Sequence, residues 1–194
     1  MAKEPRAGRV KTRLARDIGS IRATWWFRHQ LARVLRELAD PRWQLVLATT
    51  PDRAVASPAF PAHIPRFAQG SGDLGCRMRR ALLRPALGPV VLIGSDIPGI
   101  ERAHIWQGFR ALGHSDFVFG PAPDGGFWAA GAARRRGVPI GLFAGVRWST
   151  RHALTDSLTT LNGQNHRLIA PLPDVDTGAD LARLRFSKDG ALPL

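Results

Sequence analysis

Asp96 closes the apolar run Val90-Val91-Leu92-Ile93-Gly94-Ser95, and Ile97-Pro98 follow it at once. Open α/β sheets bind ligands beyond the carboxyl ends of their strands, so a carboxylate in that place can hold a hard cation; a turn or N-cap aspartate has the same signature. Lys3 and Lys11 are two of only three lysines and flank Gly8 in a short non-repetitive stretch, where mobile ammonium groups can reach phosphate oxygens. Asp174, Asp176 and Asp180 surround Thr177. That cluster reads either as a helix start or as the source of a carboxylate that completes a metal site with Asp96.

Other candidates sit on glycine-rich or capping patterns. Gly70-Ser71-Gly72-Asp73-Leu74-Gly75 matches the dinucleotide fingerprint G-x-G-x-x-G. It is set aside for two reasons: Asp73 would place a carboxylate where a pyrophosphate must lie, and the motif does not stand in the first βα turn. Asp73 is expected to cap a helix. Asp124-Gly125-Gly126 displays an acid on a turn whose glycines permit close backbone approach, or is a plain hairpin turn. Trp148-Ser149-Thr150 is either a helix start with a packed indole or part of an acceptor pocket.

The elements that must position these groups follow from periodicity. Phe27, Leu31, Val34, Leu35 and Leu38 share one helical face between Ile21 and Ala39, before Asp40-Pro41. Further helices are expected over Asp73 to Arg84, Glu101 to Leu112, Thr150 to Leu161 and Gly178 to Phe186. Strands are expected at Gln44 to Thr49, Ile64 to Ala68, Pro89 to Ser95, Asp116 to Gly120, Phe127 to Gly131, Ile140 to Phe143 and Arg167 to Pro171. The alternation predicts a parallel sheet that becomes mixed in the second half, and no internal repeat or long linker divides 194 residues, so one domain over 1–194 is expected.

Composition narrows the class. Cys76 is the only cysteine, which excludes an intrachain disulfide, and the histidines lack zinc-binding spacing. No apolar run approaches the length of a membrane span and the start is basic, so a soluble cytoplasmic protein without membrane partners is expected. The net charge is +13, and ten of the 28 cations precede position 40. That excess is either a solvated arginine-rich surface or a local field for an anion.

As an ordered set, Ala2-Lys3-Glu4-Pro5 through Gly8-Arg9-Val10-Lys11-Thr12-Arg13-Leu14, Gly72-Asp73-Leu74-Gly75, Gly94-Ser95-Asp96-Ile97-Pro98, Gly120-Pro121-Ala122, Asp124-Gly125-Gly126, Trp148-Ser149-Thr150 and Asp174-Val175-Asp176-Thr177 resemble the glycosyltransferase-A-like nucleotide-diphospho-sugar transferases of the DUF2064 family. These are related to molybdenum-cofactor and phospholactate nucleotidyltransferases. The resemblance implies a three-layer α/β/α sandwich with a mostly parallel mixed sheet. It also implies a nucleotide phosphate site that takes in Lys3, Gly8, Lys11, Arg13, Gly72 and Asp73, and Mg²⁺ or Mn²⁺ on Asp96 with Asp176 as second ligand. Acceptor contacts fall on Asp124, Gly125, Gly126, Trp148 and Ser149. Lys11, Arg13 and the cation on Asp96 would stabilise charge on the departing phosphate. Relatives begin with an apolar strand, whereas Ala2-Lys3-Glu4 follow Met1 directly. The first strand is therefore expected to be largely missing.

The expected function is a metal-dependent transfer of a glycosyl group from a nucleotide sugar, or of a nucleotidyl group from a triphosphate, to a small acceptor. The alternative is a basic protein that binds nucleotide or nucleic acid without turnover. A nicotinamide-dependent oxidoreductase built on Gly70, Gly72 and Gly75 is disfavoured by the loop arguments above.

Overall fold

Buried side chains recurring every three to four residues make Ser20–Glu37 (α2) amphipathic, with Ala23, Phe27, Leu31, Val34 and Leu35 on its inner face. A shorter helix precedes it, Thr12–Ile18 (α1), and Gly19 at φ 87° turns the chain between them. The computed structural model describes residues 1–85 and 88–187, and for 185–187 the backbone alone. The last residues of the expected domain, 188–194, lie outside the described residues.

Among the described residues seven strands form two ladders. Ala2–Lys3 (β1), Leu47–Thr50 (β2) and Arg66–Ala68 (β3) are parallel in the order β1-β2-β3. Val90–Ile93 (β4), Phe117–Pro121 (β5), Phe127–Ala132 (β6) and His166–Leu168 (β7) are ordered β4-β6-β5-β7, and β6 alone runs against its neighbours. The amino group of Met1 donates to the carbonyl of Ile93 at 2.6 Å, so the two ladders meet at β1 and β4. The expected shortness of the first strand appears as the two residues of β1.

Helices cover both faces of the larger ladder, which makes the three-layer α/β/α sandwich. Val118 and Trp128 pack with Val34 and Leu38 of α2 and with Ile105 and Leu112 of Arg102–Leu112 (α4). Phe117, Phe119, Ala130 and Ala132 face the other way. They pack on Met78 and Leu82 of Leu74–Leu83 (α3), and on Ala153 of Ala153–Thr159 (α5). A third cluster joins Leu31 and Leu35 of α2 to Leu47, Phe60 and Ile64 beside the smaller ladder. The last helix, Gly178–Ser187 (α6), meets α1 through Leu14, Val175 and Leu181. No described helix is long and apolar enough to cross a membrane.

The register slips at one point between β5 and β6: Gly120 pairs with Ala129, but Pro121 pairs with Phe127. Trp128 is the extra residue of this bulge, so its ring turns to the α4 side and lies on Gly120. Its indole N–H then donates to the Ala170 carbonyl at 3.0 Å. A side chain at 120 would occupy the space of that ring.

Two expectations change. Ile140 to Phe143 forms turns instead of a strand. Leu142 and Phe143 are buried, which accounts for the apolar signal, but Phe143 has φ 67° and Ile140 is 91% exposed. Thr12–Ile18 forms a helix where periodicity is too short to announce one.

Candidate functional site

The carboxyl ends of β1, β2, β3, β4 and β5 open onto one cleft of ≈ 580 Å³. Lys3, Thr50, Gln69, Asp96 and Ala122 line it, each just at or beyond the end of a different strand. Loop 4–11 forms one wall and is fastened at its base. Glu4 is buried, its carboxylate accepts from Ser57 Oγ at 2.6 Å, and the Arg6 guanidinium pairs with it at 2.6 Å. The Ser57 hydrogen bond, against an opposing effect of burial and with help from Arg6, holds the Glu4 carboxyl below the usual range.

At the cleft's centre Lys11 Nζ lies 2.5 Å from Asp96 Oδ2 and 2.9 Å from Asp176 Oδ1. Arg13 Nη1 reaches Asp176 Oδ2 at 3.2 Å from the solvent side. Burial pulls the Lys11 ammonium down, but Asp96 and then Asp176 outweigh it and raise its pKa above the ordinary lysine value. Asp96 can fold back here because Gly94 has no Cβ; one added there would stand 3.0 Å from Asp96 Oδ1. Asp176 is delivered by a segment that continues past β7: Leu172 N–H donates to Pro121 O, and the Gly178 N–H donates to Asp17 Oδ2 at 2.7 Å. Val175 is buried between them against Leu14.

Asp174 also lines the cleft and is the group that residue-level reading left in a helix-start cluster. Burial raises its pKa to about 6, with Asp176 and Asp96 adding to the shift. An acid raised in the folded protein penalises the charged form. Stability is therefore gained as pH falls through 6, and the penalty is complete above it. Asp174→Asn should raise the unfolding midpoint by roughly 2–6 °C at pH 8 and leave it unchanged near pH 4, as a pair of thermal scans would show.

The donor set suits a hard divalent cation. Asp96, Asp174 and Asp176 offer carboxylate oxygens, and Mg²⁺ in particular is commonly held by one or two carboxylates with water and substrate phosphate completing its shell. Among the described residues no three or more His, Cys, Asp or Glu side chains are gathered so that they could hold a metal ion together, so any cation here rests on one or two carboxylates. The ammonium of Lys11 stands between the two best-placed carboxylates.

The opposite wall carries Asp124, Gly126, Trp148 and Ser149. Asp124 Oδ1 accepts from the Gly126 N–H at 2.9 Å, an Asx turn that leaves its other oxygen toward solvent. Gly125 has φ 84° and its carbonyl accepts from Leu154 N–H at 3.0 Å, tying this turn to the start of α5. The Trp148 turn is held by Arg147 and Asp156, whose guanidinium and carboxylate meet twice at 2.8 Å, while Ser149 adopts φ 59°. Those bonds keep the Asp156 carboxyl far below the usual range. Trp148 packs between Phe127 and Phe143, and its indole N–H is buried with no acceptor among the described residues.

Of the residues expected to act, Lys3, Lys11, Arg13, Asp96, Asp124, Gly126, Trp148, Ser149 and Asp176 line the cleft; Gly8, Gly72, Asp73 and Gly125 do not. Gly8 turns the exposed loop at φ 72°. Asp73 Oδ1 accepts from Cys76 N–H at 2.8 Å and so caps α3, as its position foretold. Asp73→Ala should lose about 1 kcal/mol and lower the midpoint by about 2–4 °C, with ligand affinity unaltered. Asp180 likewise bonds Thr177, as a helix start requires. Arg9, Thr50 and Gln69 join the cleft without any sequence signal, since only the packing of distant strand ends brings them there.

The three-layer sandwich is similar to several solved structures. A crystal structure of a protein from Desulfovibrio desulfuricans G20, provisionally named a nucleotide-diphospho-sugar transferase, matches with a TM-score of 0.86 and 29% identity, over 98% of this chain and 86% of that one. Rv0371c from Mycobacterium tuberculosis H37Rv shares the fold at a TM-score of 0.55 and 19% identity, over 84% and 85%. A manganese complex of that protein gives 0.54 and 20%, over 84% and 86%. No curated protein matches the chain. Residues 32–150 match the family described as "uncharacterized protein conserved in bacteria", DUF2064. The chain belongs to the DUF2064 family.

Proposed function

We propose that the protein is a metal-dependent transferase that takes a glycosyl group from a nucleotide sugar, or a nucleotidyl group from a triphosphate, and passes it to a small acceptor. The observation that carries this reading is the meeting of Lys11, Arg13, Asp96 and Asp176 at the strand ends of one cleft. The D. desulfuricans protein's name and the manganese in the Rv0371c complex point the same way.

Each wall has a separate task in this reading. Loop 4–11 with the adjoining ends of β1 and α1 brings Lys3, Arg9, Lys11 and Arg13 against the phosphates, where fixed positive charge lowers the energy of a leaving phosphate. Asp96 and Asp176 would hold Mg²⁺ or Mn²⁺, which when bound supplies Lewis-acid charge to the phosphoryl oxygens. Asp124 and Ser149 orient the acceptor on the other side. Trp148 excludes water with Phe127. The whole chain acts as one domain in this account, because both ends supply the cleft.

Incubation with candidate donors and Mn²⁺, followed by product analysis, tests the reading. Pyrophosphate release identifies nucleotidyl transfer, nucleoside diphosphate release identifies glycosyl transfer, and no donor-dependent product with any pairing would refute both. The +13 charge favours one other reading, a basic binding protein without turnover. That reading requires a salt-sensitive interaction with nucleic acid that survives Asp96→Ala.

A further inference from the structure

Lys11 enters the cleft from an unusual backbone, φ 46° and ψ 49°, that L residues seldom adopt. Such strain persists where the surroundings fix it, and here the Lys11 carbonyl is held at the start of α1 by the Ala15 N–H at 2.8 Å. Asp96 comes from the end of β4 and Asp176 from the segment before α6, yet both point an oxygen at one ammonium within 2.9 Å, and only 6% of that side chain is exposed. One positive charge thus bridges two acids from distant segments of the chain. This is also the position in which a divalent ion would have to be shared.

A metal ion and an ammonium cannot both stand there, because two cations a few ångströms apart repel strongly in a half-buried site. Resting on the metal–nucleotide reading of this cleft, we infer that Lys11 is the resident cation of the Asp96–Asp176 pair and competes with the metal for it. The ammonium leaves only when a phosphate offers it another partner. Its four-carbon stem allows that swing without moving the backbone. The ligand that fits the cleft is therefore the metal–nucleotide chelate, which brings the replacement cation and the replacement anion together; metal alone meets an occupied pair. By linkage the effect is reciprocal, so phosphate strengthens metal binding as much as metal strengthens phosphate binding.

Mn²⁺ titrations read by the electron paramagnetic resonance of the free ion test this without turnover. In the absence of any phosphate, Lys11→Met should bind Mn²⁺ about tenfold more tightly than wild type, or better, because two carboxylates lose their competitor. Lys11→Arg keeps the charge and should bind like wild type. Equal or weaker Mn²⁺ binding by Lys11→Met would overturn the inference. Adding Asp96→Ala to Lys11→Met should abolish the gain; a gain that survives places the metal elsewhere and overturns the reading of the cleft itself. Thermal scans of the wild type give a second measure that needs no variant: Mn²⁺ with inorganic pyrophosphate should raise the midpoint by more than the sum of the two separate shifts. A merely additive shift counts against competition.

Discussion

Asp96→Ala should reduce donor turnover by about 10³-fold or more, the loss typical of removing a group that stabilises developing charge in a transition state. Asp96 is half-buried just beyond the end of β4, and among the described residues its carboxylate has a single ion-pair partner, Lys11. Without it Lys11 retains Asp176, and the base of the loop stays fastened through Glu4 and Ser57. The variant should therefore fold, and a thermal midpoint within a few degrees of wild type separates lost chemistry from lost structure. The sharper readout is ligand-linked stability. Wild type with a saturating metal–nucleotide complex at 100 times its dissociation constant gains about 2.7 kcal/mol. The variant should gain nothing from the metal, while phosphate contacts from Arg13 and Lys3 survive as a weak, salt-sensitive remainder. Turnover within tenfold of wild type would remove Asp96 from the reaction and with it the proposed metal site.

Gly125→Ala should be the most destabilising single change on the acceptor wall. At φ 84° the residue occupies backbone space that side chains rarely enter, and a Cβ built there falls 2.6 Å from Arg151 Cα and 2.7 Å from its carbonyl carbon. Backbone cannot yield as a flexible side chain can, so either the 122–126 turn or the start of α5 must shift. The expected loss is about 3 kcal/mol, or roughly 6–12 °C in the unfolding midpoint at this size. Gly126→Ala is the contrast. Its nearest obstacle is the end of the Asp124 side chain, 3.1 Å away, and that side chain can move. Thermal scans of the two variants side by side check the difference; equal midpoints would mean that the turn adapts and that Gly125 is not required by sterics.

The fold was readable wherever one periodicity ran long enough. The inner face of α2 and the apolar runs of β4 and β5 follow their patterns within a few residues. Thr12–Ile18 was opaque because its one wholly buried side chain is Leu14, too little for a helical stripe. Leu142 and Phe143 misled because burial alone does not tell a strand from a loop that folds inward on Gly75; a Cβ there would strike Phe143. At the site, residue chemistry marks Lys11 and Asp96 as candidates, whereas the resemblance alone singles Asp176 out of its acidic cluster. Their mutual contact depends on strand order, which no local pattern encodes. Gly72 and Asp73 show the converse: a phosphate-like motif whose carboxylate is already engaged by the α3 backbone.

Lys11 and Asp176 stand 165 positions apart in the chain. During synthesis the loop, β4 and most of the core emerge well before residues 174–178 can close over α1. Until then Lys11 has Asp96 alone. Assembly of the cleft thus waits until residues 174–178 have been made. The same arrangement makes the segment after β7 a point of vulnerability: a protease that nicks it would leave most of the sandwich standing while disarming the protein.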